Sequence, residues 1–387
     1  MKKLVIAVIV LAGLAATFFA LAPGYLERQT NKVADHAPYA ISEGAAATHA
    51  GLIVADLHSD TLLWARDPLD RASRGHVDVP RLIEGNVTLQ IFSVVTKAPQ
   101  NLNYDENTAD SDQITLAAIV QAWPPRTWDS LYERALYQAV RLHDAEAQAP
   151  GRLKIIKTRT DLATVLSARA NATSLVGGLL ATEGSHALEG DLANVQNLYD
   201  AGFRMMGLQH FFDNELGGSL HGVSNAGLTP FGKDAVREME RLNVIVDVAH
   251  SSAAVVEDVL AIATRPFIVS HTGVKGACDS ARNLEDALMQ RIAAKGGLIG
   301  IGYWDGAVCD PSPAGVVKSM RYAIDLVGVD HVGLGSDYDG ATTVTFDTSE
   351  IAVLTEEMRK ANFTPEEIKK VMGANVARLL ADLLPEG

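Results

Sequence analysis

Clustered lysine and arginine are missing from this chain. With 33 basic against 47 acidic residues and a formal net charge of -14, it has no patch of positive charge suited to a phosphate backbone, so nucleic acid and other polyanions are excluded as partners. Internal repeats at solenoid spacing and low-complexity tracts are also missing. No proline- or glycine-rich linker isolates the middle of the sequence, and one large core with insertions accounts for most of its 387 residues. Cysteine is scarce: only Cys278 and Cys309 occur. Neither follows the apolar N-terminal run, so a bacterial lipoprotein anchor is excluded.

That run is the first positive feature. Lys2 and Lys3 precede an uncharged stretch from Leu4 to Ala22, 19 residues long and near the length that spans a bilayer. The two lysines favour an N-terminus kept inside, with everything after it exported. A secretory signal has a shorter apolar core; Ala20-Leu21-Ala22 offers small residues for cleavage, but Pro23 directly after them hinders it. The sequence therefore predicts a signal anchor or signal peptide over 1–22, a tether over 23–50 rich in alanine and polar residues, and a catalytic domain over 51–387. A Lys-Lys apolar start suits a bacterial inner membrane, with the domain on the periplasmic side, anchored or secreted.

Eight short apolar runs follow, near 52–57, 88–94, 175–182, 203–208, 244–249, 266–270, 297–303 and 331–336. Such runs read as parallel strands covered on both faces. Helix signals lie between them: Thr229 before Pro230 is an N-cap followed by proline at the first helical position, leading into GKDAVREMERL. QRIAAKGG ends on a glycine stop before LIGIGYW. Alternation of this kind predicts a (β/α)8 barrel, with a helical insertion between strands 2 and 3 over DQITLAAIVQAW, WDSLYERALYQAVRLHDAEAQ and TDLATVLSARA.

The runs stop at residues that bind divalent metals. His58 and Asp60 close the first, Glu183 the third, His250 the fifth, His271 the sixth and Asp337 the eighth. Taken singly these are weak signals, since an H-x-D triplet is usually incidental and a histidine after a strand is usually a core residue bonded to backbone. Jointly they gather at the strand ends where parallel barrels keep their chemistry. Borderline ions such as Zn2+ take imidazole and carboxylate ligands, and five such residues suffice for two ions sharing a carboxylate. His210, closing GFRMMGLQH, and Arg282, in the loop after the sixth strand, are not assignable from spacing. Arg282 has the fork to bind a substrate carboxylate.

The ordered set DLHSDTLL, ATEGSHAL, GLQHFFDN, VDVAHSS, FIVSHTG, ARN and HVGLGSDYDG resembles the membrane dipeptidase (renal dipeptidase) family, metallopeptidase family M19. The likeness runs from about residue 50 to the GANVARLL helix. It implies two Zn2+ per chain: His58 and Asp60 on one, His250 and His271 on the other, Glu183 bridging. It further implies that His210 polarises the scissile carbonyl, that Arg282 binds the C-terminal carboxylate and that Asp337 shuttles the proton, so that a hydroxide between the metals hydrolyses a dipeptide. Two competitors are another dinuclear amidohydrolase acting on lactams or N-acyl amino acids, and a silent anchored binding protein. Arg282 argues against the first and the intact ligand set against the second. Export permits a disulfide between Cys278 and Cys309, whose loops are neighbours, and the resemblance implies the same staple. The oligomeric state, a homodimer included, stays open.

Overall fold

In a computed structural model that describes residues 1–171 and 174–387, eight parallel strands close a barrel. They are β1 (Val54–Ser59), β2 (Val87–Val95), β3 (Val176–Glu183), β4 (Phe203–Gly207), β5 (Ile245–Asp247), β6 (Ile268–Thr272), β7 (Leu298–Ile301) and β8 (Val332–Leu334). Chain neighbours are spatial neighbours throughout, β2 pairs with β3 along Leu89↔Gly177 to Val95↔Glu183, and β8 returns to β1 at Leu334↔Asp56. The (β/α)8 architecture stands as read.

Some boundaries differ for identifiable reasons. The run over 244–249 keeps only Ile245–Asp247 in the ladder. Val248 and Ala249 remain buried, but the Asp247 carboxylate takes the Ala249 and Ser270 N–H groups, both at 2.9 Å, so the backbone turns away early. The insertion between β2 and β3 is helical as expected, with helices Gln113–Val120, Arg126–Asp129, Leu131–Gln148 and Arg159–Ala170. It also carries an unexpected short strand, Leu153–Ile155, which pairs with β3 at Val176–Gly178. Thr229 caps helix Pro230–Arg241 through the Gly232 N–H.

One apolar cluster gathers Ala55, Leu89, Ile91, Leu179, Met205, Ile245, Ile268 and Leu298 from successive strands against Val376, Leu379 and Leu380 of the C-terminal helix Asn375–Leu383. This packing stiffens the strands whose ends carry the polar residues. Cys278 and Cys309 are bonded, Cα atoms 5.6 Å apart, stapling the segments that follow β6 and β7.

The N-terminal helix, α1 (Lys2–Thr30), is 29 residues long and continues through Pro23. Its apolar window has a mean hydropathy of 2.8 with none of it buried, long and apolar enough to cross a membrane. The stretch over 23–50 is not featureless. After α1, Lys32–Val33 pairs in parallel with Thr343–Val344, and Glu43–Ala50 forms a helix capped by Ser42. The same alanine content that suggests a tether is also the best helix-forming composition.

Candidate active site

Two of the site histidines lie where the ladder slips. Asp56 faces Gln90 and Ser59 faces Phe92, so three steps along β1 match two along β2, and His58 falls inside the slip. Between Val269↔Ile299 and Thr272↔Ile301 the same mismatch encloses His271. Bulges of this kind beside active sites re-aim a side chain that regular alternation would point elsewhere. His250 and Asp337 are turned by another device. Both have left-handed backbone, φ 61° and 59°, a conformation costly for residues other than glycine and held only where the surroundings enforce it.

The result is a convergence on one carboxylate. Glu183 Oε1 lies 3.1 Å from His250 Nε2, 3.4 Å from His271 Nε2, 3.5 Å from His210 Nε2 and 3.7 Å from His58 Nε2. His58 Nε2 is also 3.5 Å from Asp60 Oδ1 and 3.9 Å from Asp337 Oδ1. All of these residues are buried. The ligand atoms fall into three overlapping groups: His58, Glu183 and His271; Glu183, His210 and His250; and His58, Asp60 and Asp337. His271 thus groups with His58 as well as with its expected partner His250, its Nε2 2.9 Å from His250 Nε2 and its ring tilted against His58 at 3.9 Å between centroids.

Electrostatics show why such a cluster needs a cation. Burial, then the negative charge of Asp60, holds Glu183 well above the usual carboxylate range. Asp60 is also held well above that range, by burial and by Asp339. Burial raises Asp337 to about 7, with Asp60 adding to the shift and His58 and Arg282 opposing it. Burial, followed by Arg282 for His250 and by His58 for His271, holds both imidazoles well below their usual range. Among the described residues, His58 Nε2 and Asp60 Oδ1 are buried with no hydrogen-bond partner. Unpaired imidazole lone pairs facing carboxylate oxygens are unfavourable until an ion lies between them, and neutral imidazole with ionised carboxylate is the donor set that zinc accepts.

Supporting residues escaped the sequence reading. The Asp56 carboxylate accepts from Ser336 N at 3.0 Å, Ser336 Oγ at 2.9 Å and the His58 N–H at 3.1 Å, joining β1 to the turn that carries Asp337. Ser270 Oγ bonds His271 Nδ1 at 2.9 Å, which orients the ring; partners of this kind behind metal ligands fix tautomer and direction. Asp339 is ion-paired to Arg66 and accepts the His76 N–H at 2.7 Å and Thr61 Oγ1 at 2.8 Å. Asp56 and Asp339 each stand beside a quoted motif residue, but only the strand register identifies their partners.

Arg282 completes the site. Its side chain is 1% exposed, donates through Nη2 to the His271 carbonyl at 2.9 Å and lies over Trp304. Among the described residues no carboxylate comes within ion-pair distance of it. The cavity in front has a volume near 800 Å³ and is lined by Asp60, Glu183, His210, His250, Arg282 and Asp337 together with an apolar wall.

A closed parallel barrel with imidazoles and carboxylates converging at the strand ends defines a metal-dependent hydrolase. The chain belongs to the membrane dipeptidase family, peptidase family M19, whose model matches residues 43–383. It is a metallodipeptidase, with the family's metal-dependent hydrolysis of dipeptides. It is similar to dipeptidase verJ of Clonostachys rogersoniana, 27% identical over 312 residues that cover 79% of this chain and 75% of that one. Among solved structures, it resembles a metallopeptidase of Rhodobacter sphaeroides liganded with a phosphinate mimic of the dipeptide L-Ala-D-Ala: TM-score 0.70, 26% identity, covering 86% of this chain and 99% of that one. The probable dipeptidase PvdM of Pseudomonas aeruginosa shares the fold, with TM-score 0.73 and 19% identity, covering 88% and 98%.

Proposed function

We propose that this chain is an exported zinc dipeptidase whose catalytic barrel, residues 51–387, is held at the periplasmic face of a bacterial inner membrane by α1. His58 and Asp60 would hold one zinc ion, His250 and His271 a second, with Glu183 shared. Two ions held there would supply Lewis acidity and make hydroxide available near neutral pH.

The protein's own groups do the rest. Arg282 fixes the substrate's C-terminal carboxylate with its planar fork, which sets the distance to the scissile carbonyl and rejects peptides extended at that end. Asp337, whose carboxyl is raised to about 7 by burial, takes the proton released on attack and returns it to the leaving amine nitrogen. His210 stands at the carbonyl oxygen. Its Nδ1 lies 3.1 Å from the Lys97 carbonyl, to which it donates, so Nε2 must gain a proton before it can donate to the developing oxyanion. Burial keeps the ring neutral at rest, with its pKa lowered to about 3, so that second proton comes from solvent as negative charge develops on the substrate oxygen. The solved relative's L-Ala-D-Ala mimic supports including dipeptides with a D residue at the C-terminal position.

The observation that carries the reading is Arg282: a buried guanidinium beside the ligand cluster, facing the cavity with no carboxylate of the described residues in ion-pair distance. The test is metal content together with amine release from L,L and L,D dipeptides by the full chain. Two zinc ions per chain and hydrolysis of free dipeptides are expected. One tightly bound ion or none after zinc reconstitution, or no hydrolysis of any dipeptide, refutes it.

A further inference from the structure

The cavity above the ligand cluster has a wall that the family's motifs do not supply. Phe18, Ala22, Tyr25, Leu26 and Thr30 of α1 line the same space as Asp60, Glu183 and Arg282. Their spacing places them along one face of the helix. Leu63, Trp64, Leu102 and Ile114 line the same space, beside the polar Thr30, Asn103 and Gln113, so the charged floor is topped by a mainly apolar chamber.

This end of α1 is fastened in place. Glu27, 1% exposed, accepts from Arg66 Nε through one oxygen and from Arg74 Nε through the other, both at 2.5 Å. Arg66 in turn pairs with Asp339. Leu26 packs against the small cluster that contains Leu63, Trp64 and Ile114. Just beyond the helix, Asn31 Oδ1 accepts the Ala341 N–H at 2.9 Å and the Lys32 N–H donates to the Thr342 carbonyl at 3.1 Å. A buried acid, an apolar contact and backbone bonds thus join the helix end to the turn that carries Asp337. A segment serving only as a membrane address needs none of these contacts.

We propose that Tyr25 and Leu26 of α1, just past the apolar run Leu4–Ala22, form a specificity-determining wall of the substrate cleft, selecting dipeptides that carry a large apolar side chain. The inference rests on the dipeptidase reading given above. A carboxylate on Arg282 and an amide beside Glu183 occupy the polar floor, which leaves apolar surface for the side chains. Two methyl side chains leave most of the 800 Å³ unfilled, whereas leucine or phenylalanine displaces water from that surface.

The experiment uses the zinc-loaded full chain in nanodiscs, with Tyr25→Ala and Leu26→Ala variants. The readout is the ratio of kcat/KM for Leu-Phe to that for Ala-Ala, and each variant should lower it about tenfold, the discrimination expected of a side-chain-sized apolar contact. A ratio within twofold of the wild type in both variants overturns the proposal. A photo-crosslinking residue at position 25 gives an activity-independent reading: it should label a phosphinate analogue of Leu-Phe, competed by unlabelled analogue, and absence of labelling overturns the wall. Labelling by a wild-type-like chain that hydrolyses no dipeptide supports the wall while sinking the dipeptidase reading.

Discussion

Removing the Arg282 guanidinium should damage catalysis in proportion to the charge on the substrate. The side chain is 1% exposed, and of its N–H donors only Nη2 has a backbone acceptor, the His271 carbonyl at 2.9 Å; Nε has no partner among the described residues. Burial lowers its pKa, countered chiefly by the charge of Asp337. A free dipeptide brings a carboxylate to these unused donors, and the pair forms where solvent does not screen it. Losing such a buried pair costs about 2 to 5 kcal/mol, which in kcat/KM is roughly 30-fold to several thousand-fold.

The comparison is Arg282→Ala against wild type on a dipeptide and its C-terminal amide, with metal content measured on both proteins because Nη2 also lies 3.3 Å from His250 Nε2. Wild type should prefer the free dipeptide strongly, and the variant should lose most of that preference because the amide has no charge to lose. Arg282→Lys should fall between them, since an ammonium cannot match both oxygens of a carboxylate. Equal cleavage of dipeptide and amide by wild type, with the ratio unchanged in a variant that keeps its metal, refutes the clamp and favours an amidohydrolase with a neutral substrate.

Glu183→Gln should reduce bound zinc further than His58→Ala or His250→Ala, read by elemental analysis after dialysis, since one Glu183 oxygen faces all four imidazoles. Cys278→Ser with Cys309→Ser opens a loop of sequence separation 31 and should cost about 3 to 4 kcal/mol in the chain-entropy model, measured by denaturant unfolding. Glu27→Gln leaves Arg66 buried with only Asp339 as counter-ion and should cost about 3 kcal/mol; unchanged protease resistance over 23–32 would contradict it. His49, bonded to Thr355 Oγ1 and the Gly85 carbonyl, has its pKa lowered from 6.5 chiefly by burial. The folded state therefore binds fewer protons than the unfolded one, its contribution is complete above pH 6.5 and declines as pH falls toward the lowered folded pKa. His49→Gln should flatten the dependence of Tm on pH in that acid window.

What could be read from the sequence follows from where the site residues stand. Parallel barrel strands are apolar on both faces, so His58, Glu183, His250 and His271 appear as interruptions at the ends of Val- and Ile-rich runs, and eight such runs in alternation with helices leave few topologies. His210 closes the fourth run and Arg282 follows the sixth, but spacing assigns neither, and their roles are legible only through the resemblance. What aims the side chains was not legible at all. The slips at His58 and His271 are properties of a strand pair, and no single run of residues encodes a register. Equally, nothing in VDVAH announces that His250 takes a left-handed backbone; its carbonyl there accepts the Leu220 N–H at 2.7 Å and Ser219 Oγ at 3.2 Å, partners about thirty residues away.

The N-terminal segment shows the same limit from the other side. Its hydropathy marks a helix long and apolar enough to cross a membrane and cannot say how far the helix continues, because Pro23 looks like a stop when only local rules apply. The helix runs on to Thr30 because the next turns have partners: Glu27 has two guanidiniums and Leu26 an apolar cluster. Those partners lie more than thirty residues away in Arg66 and Arg74, in a part of the chain where arginine looks like ordinary surface charge. Glu27 beside Arg28 gives no local sign of them, because an adjacent acid and base at a helix end read as ordinary surface charge. In this fold Glu27 meets cations that belong to the catalytic barrel, so the end of a helix apolar enough to cross a membrane also lines one side of the cavity at the ligand cluster.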